Sequence, residues 1–573
     1  MTPRSVSRTT IIVAALVAVA ALAVALVVGW PGDDDPDPDR APGSASAGPS
    51  RPPPLDDRPP RSLGSAKAPA APRVIPAVRA YAPEGGPGWR PGRDSRVVAD
   101  PRGPLAAEAR RLARELDLPV ADGQPHRGDI ALALRPASAI RATPSDGGKG
   151  AGPRGRADAG ADQIAREAYV LTVRDGQALV TGSDPAGVFY GTRTVRQALR
   201  SGGGGLPAGV VRDRPDRPQR GLMIDTARKH FSARWIEDRV REAAELKLNQ
   251  VGLHFSDDQG FRIESRSHPE IVSRQRLTQD EVRRIVRLAD SLHVAVIPEI
   301  DSPGHLGMVI RAHPSLQLRG TDGRAPRGTV DISEPGAARI LDDLLREFAP
   351  LFATDSGGGP YWHLGGDEYL ALTVRDPEGT FPDLANAAER RYGPGARVQD
   401  LATGWLNDRA EVARKAGTRV KSWNDGLFRG GVVQADRDRE VEYWTGKEIG
   451  ARQPEEYLRE GRPLINVNDE YLYYVLGEPN DFAYPTGRRI YQEWSPRVVR
   501  GTRPVPASLG GRDQVLGGRF GIWCDIADAQ TPEQIARGIR APLRALAQRV
   551  WDPREPALSW DRFAALGEQV TAR

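Results

Sequence analysis

Tyr361-Trp362-His363-Leu364-Gly365-Gly366-Asp367-Glu368 is the stretch on which the fold of this chain turns. A short apolar run of strand length gives way to two glycines and then to two adjacent carboxylates. The run suits a buried strand, and the glycines give the backbone freedom where that strand ends. The same design recurs on both sides of it. Strand-like segments lie at 221–225, 250–256, 294–300, 361–364, 419–423, 441–444, 464–467 and 519–523. Several intervening segments have helical spacing. Thr278 and Glu281 form a capping box, followed by apolar Val282, Ile285, Val286 and Ala289. Ile340, Leu341, Leu344, Leu345 and Phe348 form a second stripe. Eight strands alternating with helices predict a closed α/β architecture, a (β/α)₈ TIM barrel over residues 219–573.

Upstream, the pattern changes. Residues 74–218 mix strand-like alternation (Ile130 to Leu134, Tyr169 to Val173) with a helical segment from Leu105 to Leu116, and predict a small non-catalytic α+β domain. Asp146 to Gly160 is glycine-rich and is expected to be a loop. Residues 31–73 are rich in Asp, Pro, Ser, Gly and Arg, cannot bury a core, and read as a disordered linker. Residues 1–30 carry Arg4 and Arg8 ahead of an apolar run that begins at Ile11 and ends at Val28. That run is marginal for a bilayer span and long for a cleaved signal. It places the catalytic domains in an extracellular location, either anchored through Ile11–Val28 or secreted after cleavage. It is also the only expected contact with a membrane.

Composition narrows the function. Lys+Arg 80 against Asp+Glu 75 gives +5, with no basic stripe of the kind a nucleic-acid partner needs. One cysteine, Cys524, excludes an intrachain disulfide and a Cys-x-x-Cys metal site.

In a (β/α)₈ barrel the chemistry sits at the C-terminal strand ends. Here those ends carry Asp225 and Arg228; His254, Asp257 and Asp258; Glu299, Asp301 and His305; Asp367 and Glu368; Trp423 and Asp425; Trp444; Tyr471 and Tyr473; Trp523 and Asp525. Each alone is more often a loop cap, a salt-bridge partner or core packing. Eight in register point to a substrate site. Two adjacent carboxylates repel, so one can hold a proton near neutral pH, as a glycosidase acid must. Trp423, Trp444 and Trp523 offer flat faces for a sugar ring. Arg228, Asp425 and Asp525 can bond ring hydroxyls. His254, Asp257, Asp258 and His305 come from different strands without a recognisable ligand spacing, so no metal and no cofactor is expected.

These strings resemble family 20 of the glycoside hydrolases, which includes β-N-acetylhexosaminidases, lacto-N-biosidases and dispersin B. The likeness rests on Arg220 to Arg228, His254 to Gly260, Pro298 to His305 and His363 to Glu368. Trp423-Asn424-Asp425-Gly426 and Tyr471-Leu472-Tyr473 look like dispersin B. Gly521 to Asp525 looks like the lacto-N-biosidases. The resemblance implies a retaining exo-β-N-acetylhexosaminidase acting on a glycan with a terminal N-acetylhexosamine. Its nucleophile would be the substrate's own acetamido group, an exception to the two-carboxylate scheme. Glu368 would be the general acid and base, and Asp367 would orient the acetamide. A tyrosine would bond the acetamido oxygen, Tyr473 by likeness to dispersin B and Tyr471 by likeness to other members. Arg228 would bind the 3- and 4-hydroxyls. Trp423, Trp444 and Trp523 would line the pocket, with His254, Asp257 and His305 supporting the acidic pair. Three alternatives stand beside this reading: release of a disaccharide, a catalytically weak surface glycan-binding protein, and a metal-dependent hydrolase.

Overall fold

The computed structural model describes residues 69–140, 156–354, 360–447 and 451–571. The apolar run from Ile11 to Val28 and nearly all of the linker lie outside the described residues. Among the described residues no helix is long and apolar enough to cross a membrane.

Eight parallel strands close into a barrel: β1 (Gln219–Asp225), β2 (Gln250–His254), β3 (Ala295–Glu299), β4 (Tyr361–His363), β5 (Arg419–Trp423), β6 (Glu440–Tyr443), β7 (Leu464–Asn466) and β8 (Val515–Trp523). Each pairs with its successor, and β8 returns to β1. The last seam is divided. The first part of β8 pairs with β7, through Val515, Gly517 and Gly518. Its last three residues, Gly521 to Trp523, pair instead with a short extra strand, Tyr473–Val475. The expected helices are present. Thr278 caps Gln279–Asp290 with the full box, and Pro335–Phe348 buries Ile340, Leu341, Leu344, Leu345 and Phe348.

The lower barrel interior is polar. Lys421 Nζ sits 2.9 Å from Glu440 Oε2 and 2.6 Å from Gln219 Oε1. Arg519 reaches Glu442 at 2.9 Å and Gln250 at 2.8 Å. Charges this dry persist only when paired, and the register supplies the pairs by setting Lys421 beside Glu440.

The preceding domain carries a seven-stranded mixed sheet, in the order Ala80–Pro83, Gly209–Asp213, Tyr169–Arg174, Gln177–Gly182, Ile130–Leu134, Val97–Val98, Val120–Ala121. Its central hairpin turns at Asp175-Gly176, both at positive φ (50° and 74°), which matches the twist of the strands it joins. The helix Pro185–Ser201 packs on this sheet and is capped by Asp184. The expected loop over 146–160 is corrected in part. Residues 141–155 lie outside the described residues, but a helix, Arg156–Arg166, already begins at 156. Its small residues Ala157, Ala159 and Ala161 suit a helix better than the neighbouring glycines suggested.

The two domains share buried ion pairs at the N-terminal ends of the barrel strands. Lys247 Nζ, fully buried, donates to Thr194, Tyr169 and Asp213 at 2.8, 2.9 and 3.2 Å. Arg220 meets Glu167 at 2.7 Å. The opposite ends of the strands are therefore the face where chemistry sits.

Candidate active site

Beyond β4 the chain makes a sharp turn. Gly365 and Gly366 have φ of +68° and +97°. A Cβ on Gly365 would lie 1.6 Å from Asp301 Oδ1, so no side chain fits there. The turn lets Gly366 N–H donate to Asp301 at 2.9 Å. It then sets Asp367 and Glu368 side by side, with Glu368 itself left-handed at φ +46°.

A relay of charged groups surrounds the pair. Arg228 bridges Asp225 and Asp257 at 3.0 and 2.8 Å. Asp257 also meets His254 Nε2 at 3.0 Å and His305 Nδ1 at 3.3 Å. The far nitrogen of His305 lies 3.5 Å from both Asp367 and Glu368. On the other side, His254 Nδ1 reaches Glu299 at 3.2 Å, and Glu299 accepts the indole N–H of Trp423 at 2.7 Å. Burial opposes a charge on either histidine. Glu299 and Asp257 override it at His254, and Asp257 and Asp367 override it at His305, so both rise well above the ordinary histidine range.

The carboxylates divide into two kinds. Burial alone would push Asp367 up, but the His305 cation and a hydrogen bond from Asp301 hold it down at about 2. Asp301 moves the other way, well above the carboxylate range, because it is buried against Asp367. Its Oδ2 has no protein donor to accept from, and a proton there, given to Asp367, satisfies both acids. Glu368 is raised by burial, with His305 pulling against it and Asp367 adding to it. Its side chain is 53 % exposed, so the carboxyl stays open to solvent and to a leaving group. The site thus pairs a fixed negative charge with an acid able to hold a proton.

Asp367 Oδ1 is buried, and the protonated Asp301 is the hydrogen-bonding neighbour of this carboxylate. Aromatic rings lie close by. Trp444 and Tyr473 stack at 5.7 Å with 9° between planes, and Trp523 lies 5.7 Å from Tyr473 and 5.9 Å from Trp423. Trp423, Tyr473 and Trp523 are only 1, 5 and 8 % exposed, so the space between the rings is nearly closed. The open cavity, about 370 Å³, begins beside Glu368 and is walled by Arg228, Asp257, Gln259, His305 and Asp525. A larger cavity, about 550 Å³, lies at the other end of the strands. Among its polar walls Arg419 pairs with Glu440 and Arg166 with Asp184.

Three of the expected residues are placed as follows. Tyr471 is not at the site: its hydroxyl donates to Glu493 at 3.1 Å, because it precedes the strand that carries Tyr473. Arg228 borders the cavity and, while it bridges Asp225 and Asp257, has further N–H donors beyond those two contacts. Asp425 accepts from Glu368 N and Trp444 Nε1, at 3.1 and 3.0 Å, and has no oxygen left idle. The sequence reads Glu299 and Asp301 as strand-end residues and His363 as part of the strand before the acidic pair, but gives none of the three a role. The signal was there, since strand alternation puts Glu299 and Asp301 on one side of the chain. Ligand-type atoms of His254, Glu299 and Asp301, and of Asp301, His305 and Asp367, lie within 4.8 Å of one another. The same groups make the His254–Glu299 and His305–Asp367 contacts described above.

Residues 218–554 match the family described as "Glycosyl hydrolase family 20, catalytic domain", and residues 71–214 match its domain 2. A lacto-N-biosidase of Bifidobacterium bifidum is 29 % identical over 500 residues, covering 86 % of this chain and 41 % of that protein. A β-hexosaminidase of Porphyromonas gingivalis is 27 % identical over 432 residues, covering 68 % of this chain and 51 % of that protein. The chain thus spans about half or less of the length of these two relatives. In structure it resembles a mutant β-hexosaminidase of Streptomyces plicatus in complex with GlcNAc. The TM-score is 0.65 at 23 % identity, over 88 % of this chain and 95 % of that one, a likeness of fold. With the catalytic-domain match taking in more than half of its residues and the companion domain matching ahead of it, this chain belongs to glycosyl hydrolase family 20.

Proposed function

We propose that the chain is a retaining exo-β-N-acetylhexosaminidase that releases terminal GlcNAc or GalNAc with the substrate's acetamide as nucleophile. One observation carries this: Asp367 keeps its charge beside Glu368, with His305 3.5 Å from both. An acetamide N–H bonded to the Asp367 carboxylate turns its carbonyl oxygen toward the anomeric carbon. Attack closes a five-membered oxazolinium ring as Glu368 gives its proton to the leaving oxygen. The Asp367 charge offsets the positive charge that develops on that ring. Tyr473 O–H is the donor for the acetamido oxygen. Glu368, now a base, takes a proton from water, which opens the ring with net retention. Tethering the nucleophile to the substrate makes the first step intramolecular, worth effective concentrations on the order of 10⁵ M or more.

A second reading, release of a disaccharide of the lacto-N-biosidase kind, is favoured by the cavity. Its walls include Gln259, Arg327 and Asp525 as well as Glu368, so polar groups beyond the acidic pair are available to a second sugar. Assays on aryl N-acetylglucosaminide, N-acetylgalactosaminide and lacto-N-bioside test both. Turnover of the monosaccharides alone supports the first reading, and turnover of the disaccharide alone the second. No turnover of any leaves a glycan-binding protein.

The apolar run from Ile11 to Val28 supports export, with the catalytic domains outside the cytoplasmic membrane. Cell fractionation with N-terminal sequencing should recover the protein from membranes, or, with a new N-terminus near Trp30, from the medium. Full-length protein in the cytosol overturns this.

A further inference from the structure

We infer that Asp425 is a positioning residue that ties the catalytic acid to the wall of the acetamide pocket, and is not a group that reads a sugar hydroxyl. The inference rests on the hexosaminidase reading above.

Asp425 sits in the single 3₁₀ turn Asn424–Gly426 that follows β5. Its two oxygens do separate work. Oδ2 accepts the backbone N–H of Glu368 at 3.1 Å, and Oδ1 accepts the indole N–H of Trp444 at 3.0 Å. Glu368 needs such a tie. Its φ of +46° is a conformation that a residue with a side chain holds only when its surroundings enforce it. Trp444 needs one as well. Its ring lies flat on Tyr473, the donor assigned to the acetamido oxygen, so a turn of the indole moves that hydroxyl. One carboxylate therefore sets both the angle of the acid and the plane of the wall.

The loop that carries Asp425 is braced from both sides. Asn424 Oδ1 accepts Trp444 N–H at 2.9 Å, Asn424 Nδ2 donates to Thr445 at 2.8 Å, and Tyr457 O–H donates to Asn424 at 2.7 Å. Gly426 approaches Gly366 so closely that a Cβ would lie 2.6 Å from the Gly366 oxygen. The turn after β5 is thus locked to the end of β6 and to the glycine turn of β4. Asp425 is the side chain that joins those attachments to the chemistry. Both of its oxygens already accept from protein N–H groups, so the carboxyl is held in place by contacts within the protein. Burial and the Asp367 charge also push its carboxyl up to about 8, so the negative charge beside the acetamide stays on Asp367.

The test compares Asp425→Ala, Asp425→Asn and Trp444→Phe on two N-acetylglucosaminides, one with a 4-nitrophenyl and one with an alkyl leaving group. The alkyl glycoside depends on protonation and the nitrophenyl one much less. Asp425→Ala should lose at least tenfold more kcat on the alkyl glycoside than on the nitrophenyl one. Asp425→Asn should fall between Ala and wild type, since its amide oxygen accepts from only one of the two N–H groups. Trp444→Phe keeps the ring and drops the indole N–H, so it should lose the same factor on both substrates. The ratio of GlcNAc to GalNAc turnover should be the same in Asp425→Asn as in wild type. Equal losses on both leaving groups in the Asp425 variants, or a shifted GlcNAc-to-GalNAc ratio, overturn the inference and return Asp425 to hydroxyl binding. Asp425→Asn is nearly isosteric and carries the test if the alanine variant does not fold. A wild type that turns over no N-acetylhexosaminide fails the functional reading itself, an outcome distinct from a flat leaving-group response in the variants.

Discussion

Glu368→Gln should lose on the order of 10²–10⁴ in kcat on N-acetylhexosaminides with poor leaving groups, the range that general acid catalysis supplies. Activated aryl glycosides, which need little protonation to depart, should lose far less. The amide keeps the size of the side chain and its place beside His305, so the loss reads the proton and not the packing. The pH profile should change with it. Glu368 is raised by burial, against His305 and with Asp367. Its working form is protonated, so activity falls as pH rises through that raised value. Wild-type kcat/KM should show this basic limb, and Glu368→Gln should lack it. Asp367, held at about 2, stays charged throughout and contributes no limb above roughly pH 3. Equal losses on good and poor leaving groups, or a basic limb that survives in the variant, would remove Glu368 from the acid's role.

Asp367→Asn should cost on the order of 10²–10³ in kcat, about 2.7–4 kcal/mol, the usual loss when one preorganised electrostatic contact to a developing charge is removed. The amide can still meet the substrate, but it brings no charge to the oxazolinium ion. It can also turn its NH₂ toward the acetamide N–H, where two donors would face each other. A thiazoline analogue of N-acetylglucosamine imitates the cyclic intermediate. It should inhibit the wild type strongly and Asp367→Asn weakly. No sugar should become bound to the protein at any stage. A covalent adduct on Asp367 or another carboxylate, seen by mass spectrometry with a 2-fluoro sugar, would place this enzyme among the two-carboxylate retaining glycosidases.

The barrel and the acidic pair were legible because their signals are local. An apolar run that stops at Gly365-Gly366 and delivers Asp367-Glu368 states its strand, its turn and its chemistry within eight residues. Thr278 and Glu281 announce a helix start in four. The rest of the site is built from contacts that no short window contains. Nothing near Arg228 in the chain says that Asp257, on another strand, will claim one of its nitrogens. Asp301 reads as one more acid until the fold sets it against Asp367 and one proton must serve both. Tyr471 and Tyr473 differ only in which of them the short strand takes up. The polar barrel interior was hidden for a related reason. Lys421, Glu442 and Arg519 look like surface residues in sequence and become a core only once the register pairs them.

The divided seam along β8 bears on how such an enzyme changes over time. Closure of the barrel depends on the first part of β8 meeting β7, while Tyr473 arrives on a separate short strand laid against the other end. The connection that brings it there, residues 467–472, is itself tied to the end of β6, where Val467 N–H donates to Tyr443 O at 2.9 Å and Asp469 N–H to Trp444 O at 3.0 Å. The residue proposed to meet the acetamide therefore sits on a strand of its own, outside the ring of eight. A substitution within that short strand can reshape the pocket wall while the β7–β8 pairing that closes the barrel stays in place.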